Sequence, residues 1–133
     1  LDVSQNTALN QLYCKINYLT SLDVSNNIAL TALRCKNNHL TNLDVSKNTS
    51  LITFHANMNN QLTFLDLRNG NNTNMNINNF NVKNNPNLLC INVDDSTYST
   101  NNWTVANNNI DPDQYFSANC PPPSSIQEQA TNK

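Results

Sequence analysis

Glycine is almost missing: the chain has 1 Gly in 133 residues. Turn-rich backbones usually place glycine where φ is positive, so another residue must take that work. Charge is scarce as well. Charged residues make up 12% and the net charge is -2, about half the usual charged fraction. A basic footprint for nucleic acid and a like-charged tail are both excluded. Glutamate occurs once, at Glu128. Apolar runs are only a few residues long, so no segment offers the ~20 apolar residues of a membrane span. No signal peptide is visible. The opening Leu1-Asp2-Val3-Ser4 already stands mid-repeat, which is expected of a fragment or a mature form.

Asparagine fills the gap, with 31 copies. It is the next best residue for positive φ, and its amide bonds local backbone. These Asn fall at regular places between leucines, unlike a prion-like tract. The phrase Leu-Asp-Val returns at Leu1, Leu22 and Leu43, a spacing of 21, and Leu-Asp-Leu follows at Leu65 after 22. Each unit has two halves. The first reads L-x-x-L-x-C-x-x-N-x-L: Leu9, Leu12, Cys14, Asn17, Leu19, then Leu30, Leu33, Cys35, Asn38, Leu40. A third copy carries Leu51, Phe54, Ala56 and Leu62. The second half reads L-x-x-L-D-V-S-x-N: Leu19, Leu22, Val24, Asn27, then Leu40, Leu43, Val45, Asn48.

Apolar residues two apart point inward from a short strand. The Asn three positions on turns the chain and satisfies buried backbone groups. One turn cannot bury its own leucines; stacking turns about 4.8 Å apart makes one core. A fixed period of this length predicts a solenoid. The pattern resembles the leucine-rich repeats of the short 21-residue bacterial class sometimes called IRREKO, over roughly residues 1–93. The Asn-rich style and the later run NGNNTN…NNPNLLCINVDDSTYST-NNWT resemble secreted surface proteins of the Bacteroidetes. The resemblance implies a β-rich, right-handed coil with two short strands per turn and an irregular C-terminal cap. It also implies a secreted or cell-surface location.

The expected organisation is a leucine-rich-repeat solenoid over 1–93, degenerate from 68, a cap over 94–120, and a Pro-rich linker with a loose tail over 121–133. In the degenerate part, Ile77, Phe80, Val82 and Asn85 are expected to resume second-half spacing, and Leu88, Ile91 and Val93 first-half spacing. Tyr98, Trp103, Ile110, Tyr115 and Phe116 supply the cap, because an open solenoid end must be covered.

Cys14 and Cys35 share a site with Ala56 and Val93, which suits small buried apolar residues and so free thiols. A disulfide between stacked turns is the minority reading. Zinc is weaker, since no C-x-x-C or His pair supports it. Cys90 and Cys120 bracket the cap, and a bridge there would staple the frayed end.

The outward positions differ in kind. Tyr13, Arg34, His55 and Asn92 form a varied column, flanked by Lys15, Lys36 and Asn57 on one side and Gln11, Ala32 and Thr53 on the other. The resemblance implies that such a varied strand face contacts ligand, through Tyr13, Arg34, His55, Lys15 and Lys36. A plain wet face reads the same way in sequence. The second strand stacks Asp2, Asp23, Asp44 and Asp66, then Asn81. Like charges about 5 Å apart repel by roughly 0.8 kcal/mol per pair in water, so flanking hydroxyls or N–H groups are expected to compensate. Calcium on Asp23, Asp44 and Asp66 is the weaker alternative, because it wants six to eight oxygens.

Catalysis is not expected. No G-x-S-x-G, H-E-x-x-H or Gly-rich phosphate loop occurs, His39 and His55 sit in different columns, and Asp94-Asp95 and Asp111-Pro112-Asp113 fit cap or turn roles. No cofactor is expected. The sequence thus reads as a recognition module for a protein partner. A glycan or a spacer role is the alternative, and end-to-end self-association is a further possibility at an uncapped first turn.

Overall fold

A computed structural model describes residues 1–123. Ser124 and Ser125 of the expected linker, and the tail over 126–133, lie outside the described residues. The strands are short, in chain order β1 (Gln11–Tyr13), β2 (Ala32–Arg34), β3 (Asn42–Asp44), β4 (Thr53–His55), β5 (Phe64–Asp66), β6 (Phe80–Asn81), β7 (Cys90–Asn92) and β8 (Tyr115–Ser117). One helix, α1 (Ser96–Asn102), lies between β7 and β8. The strands form two four-stranded parallel sheets, β1-β2-β4-β6 and β3-β5-β7-β8.

Register follows the repeat. Leu12 pairs with Leu33, Leu33 with Phe54, and Phe54 with Phe80. In the second sheet Leu43 pairs with Leu65, and Ile91 with Phe116. Leu33, Phe54, Leu43, Leu65 and Ile91 are buried, as are the flanking Leu30, Leu40, Leu51 and Leu62. Each such side chain contributes about 1.5–3 kcal/mol by leaving water. The first copy has a stacked neighbour on one side only, and its Leu9, Leu12 and Leu19 are half-buried.

The interior asparagines tie successive turns together. Asn38 Nδ2 donates to the carbonyls of Cys14 and Cys35, and its Oδ1 accepts the Leu19 N–H. Asn59 repeats this with Cys35, Ala56 and Leu40, and Asn85 with Ala56, Val82 and Asn59. On the other side of the coil Asn27 Nδ2 bonds Val3 and Asn6, and Asn48 Nδ2 bonds Val24 and Asn27. The extended stretches at Leu1–Val3 and Leu22–Val24 lack strand pairing and are held by these amides. The expected second strand of each turn therefore begins only at β3. Positive φ is shared more widely than asparagine alone: Asn37, Asn84 and Asn108 adopt it, but so do Ile16 and Met58.

Three expectations need correction. Beyond Leu67 the two halves are exchanged relative to the sequence reading. Phe80 and Asn81 join the first sheet beside Phe54 and His55, while Cys90–Asn92 joins the second beside Asp66. Val82 therefore follows Cys14, Cys35 and Ala56, and Val93 follows Val45 and Leu67. The cause is the Asn69–Asn79 insertion, which carries two 3₁₀ turns and breaks the count on which the sequence frame relied. The cap is also not wholly irregular. β8 extends the second sheet, so the parallel ladder runs to Ser117. Finally, Tyr115 is exposed and takes no part in the core.

The rest of the cap closes an aromatic end. Trp103 is fully buried, stacks on Phe80 at 4.1 Å, and meets Tyr98 and Phe116 edge-on. Asp95 caps α1 by accepting the N–H groups of Thr97 and Tyr98. Asp94 takes those of Gly70 and Asn72, and Asp111 those of Asn84 and Asn85. Cys90 and Cys120 are joined by a disulfide with Cα atoms 5.8 Å apart.

Candidate functional site

The outward face of the first sheet is assembled by register. Tyr13, Arg34 and His55, each 21 residues from the next in sequence, pair in one row, and Asn81 completes it. Asn92, expected in this row, lies in the second sheet against Asp66. Of the neighbouring residues, Gln11 is exposed and Thr53 half-buried, but Ala32 is buried and presents nothing. Arg34 places its guanidinium over the Tyr13 ring at 5.0 Å. Its Nε is buried without an acceptor. Nearby, Tyr18 stacks on His39 with centroids 5.8 Å apart and planes 11° apart.

The adjacent column contains Lys15, Lys36 and Asn57, linked through Ile16 N–H to Lys36 O and Asn37 N–H to Asn57 O. Met58 N–H to Lys83 O extends it to Lys83. Sequence reasoning missed Lys83 because of the exchanged frame. A signal was present: Lys36-Asn37-Asn38 recurs as Lys83-Asn84-Asn85. Lys83 Nζ donates to Asn108 Oδ1, a neutral partner. His55 feels this setting. Burial, then the Arg34, Lys36 and Lys15 charges, hold its pKa below the ordinary value of 6.5. Among the described residues the ion pair found is Arg68–Asp66, so Lys15, Arg34, Lys36 and Lys83 have no carboxylate partner.

The second sheet carries the acids. Asp44 and Asp66 pair in register. Each Asp of the column accepts an N–H two residues on: Ser4 for Asp2, Ser25 for Asp23, Ser46 for Asp44 and Arg68 for Asp66. Asp23 also accepts the Ser25 hydroxyl at 2.6 Å. Serine hydrogen bonds hold the Asp2 and Asp23 carboxyls below the ordinary range. For Asp66 burial pushes upward, but the Arg68 guanidinium and N–H outweigh it and the net direction is down. These bonds supply the compensation that stacked carboxylates require. Both Asp66 oxygens are engaged by Arg68, and Lys47 lines the same hollow as Asp23 and Asp44. Among the described residues no group of three or more His, Cys, Asp or Glu is placed to hold a metal.

Cys14 and Cys35 are buried free thiols. Burial pushes both thiols up, and for Cys35 the neighbouring Cys14 adds to it.

No protein-family model matches the chain, and no curated protein matches it. Among solved structures, the functional domain of InlJ from Listeria monocytogenes, which includes a cysteine ladder, is similar at 29% identity and a TM-score of 0.43. The alignment covers 71% of this chain and 27% of that one. The parallel register described above, rather than this overlay, carries the fold. Among the described residues no helix is long and apolar enough to cross a membrane.

Proposed function

We propose that the chain is a leucine-rich-repeat solenoid from an extracellular or cell-surface bacterial protein, and that it binds a protein partner through the outward face of its first sheet. One observation carries this reading: strand register gathers Tyr13, Arg34 and His55 into a single row of side chains on a fixed scaffold. A rigid surface loses little conformational entropy on binding. Tyrosine and arginine are the side chains that most often anchor such contacts. The Cys90–Cys120 bridge suits an oxidising, extracytoplasmic setting. No catalytic role is assigned. A thiol nucleophile needs its thiolate, and burial raises both free thiols here.

The test is crosslinked capture from cell-surface extracts by the wild-type chain, by a Y13A/R34A/H55A variant and by a D23A/D44A variant of the other sheet. Capture that survives the second variant and fails with the first supports the proposal. Capture indifferent to both sheets overturns it. A glycan array run beside it tests the second reading, and silence in both assays favours a spacer.

A further inference from the structure

We infer that the first-sheet face is built for an acidic peptide segment, held by Lys15, Arg34, Lys36 and Lys83 around the Tyr13–His55 row. This rests on the proposal that the face binds a protein, and it assigns the chemistry of the partner.

The chain as a whole is slightly acidic, at -2, yet Lys15, Arg34, Lys36 and Lys83 gather apart from Lys47 and Arg68, which sit beside the Asp column. The Lys15–Lys36–Lys83 column runs beside Arg34 in the strand register. Burial and then the Arg34, Lys36 and Lys15 charges lower the His55 pKa, and none of these three cations has a carboxylate partner among the described residues. Asp111 accepts the Asn84 and Asn85 N–H groups and forms no ion pair with Lys83. Stacking like charges is unfavourable in the free protein, and an approaching carboxylate relieves it. Electrostatic complementarity of this kind selects partners and speeds encounter.

An acidic peptide fits better than an acidic sugar. Sugar sites commonly add an open aromatic face to their polar and charged contacts. Here Arg34 covers one face of Tyr13 and His39 one face of Tyr18. Arg34 stands on β2, and Lys15, Lys36 and Lys83 follow the ends of β1, β2 and β6; with coils stacked about 4.8 Å apart, an extended segment crossing them meets cations at the first, second and fourth, and Asn57 at the third. Guanidinium forks suit carboxylates bidentately, and lysines add point charge.

The experiment is fluorescence anisotropy with three labelled probes: a peptide alternating Glu and Ser, the same peptide with Gln for Glu, and an oligo-uronate of similar charge. The Glu peptide is expected to bind at least about tenfold more tightly than the Gln peptide at low salt. That advantage should shrink at about 0.5 M salt, where screening is strong. R34Q/K36Q/K83Q should remove the preference and D23N/D44N should leave it. Equal binding of the Glu and Gln peptides overturns the inference without reference to any variant. Stronger binding of the uronate overturns the assignment to a peptide. Should surface capture depend on Tyr13 while the Glu peptide shows no advantage, the acidic chemistry fails and the protein-binding proposal stands. Should the Glu peptide bind with the expected variant pattern while capture ignores this face, the chemistry stands and the proposed partner class fails.

Discussion

Asn59 offers the sharpest test of how the turns are held together. Its side chain is fully buried. Nδ2 donates to Ala56 O at 3.0 Å and Cys35 O at 3.3 Å, and Oδ1 accepts the Leu40 N–H at 3.2 Å. Replacement by alanine removes all three bonds, but their losses differ. The Ala56 carbonyl keeps Asn85, and the Cys35 carbonyl keeps Asn38. Each loses one of two bonds, at about 0.5–1 kcal/mol. The Leu40 N–H sits beside a fully buried side chain and is left with no acceptor, at about 1–3 kcal/mol. Asn59→Ala should therefore cost roughly 2–5 kcal/mol. Exposed Asn60→Ala, whose side chain makes none of these bonds, is the control and should stay within about 0.5 kcal/mol. Asn59→Asp sharpens the point. A carboxylate keeps the Leu40 acceptor but turns negative charge on two carbonyls, so the variant should be less stable at neutral pH than in acid, relative to wild type. Urea unfolding followed by the Trp103 emission gives the midpoints. A loss below about 0.5 kcal/mol for Asn59→Ala, at unchanged m-value, would refute the idea that interior asparagines lock successive turns.

Three further outcomes are expected. Leu33→Ala, at a fully buried site between Leu12 and Phe54, should lose about 2–5 kcal/mol by urea unfolding, as large-to-small core changes do. Cys90→Ala with Cys120→Ala opens a loop with a sequence separation of 30; chain entropy sets the loss at roughly 3–4 kcal/mol, measured against wild type under non-reducing conditions. His55 sets a pH dependence of known sign. Its folded pKa lies below 6.5, so the unfolded chain binds more protons and stability rises with pH through that window. Its contribution is complete above 6.5 and is lost as pH falls toward the lowered folded value. His55→Gln should flatten this limb of the stability–pH profile, and an unchanged profile would show that another group is responsible.

The repeat period by itself places most of the core. Leucines two apart, with an Asn three positions on, admit few arrangements that bury every apolar side chain and satisfy every turn carbonyl. The inward columns of β1, β2 and β4 and the Asp column up to Asp66 follow from it directly, whereas the Cys90–Cys120 bridge is expected from the two cysteines bracketing the cap and is present. What lay beyond the sequence is where counting failed. The Asn69–Asn79 insertion has no leucine marker, so only packing could decide that Phe80 stacks on Phe54 and Trp103, and that Ile91 belongs with the second sheet. That choice moved Asn92 out of the candidate face and brought Asn81 and Lys83 into it. That Lys15, Arg34, Lys36 and Lys83 have no carboxylate partner among the described residues was likewise a tertiary matter. A composition with 7 Lys+Arg and 9 Asp+Glu is nearly balanced, and only the two-sheet cross-section puts most of the described positive charge on one face and the Asp column on the other. Local sequence dictates which side chains turn inward. Long-range stacking decides which outward ones become neighbours, because that depends on how many residues each coil spends returning to the same edge.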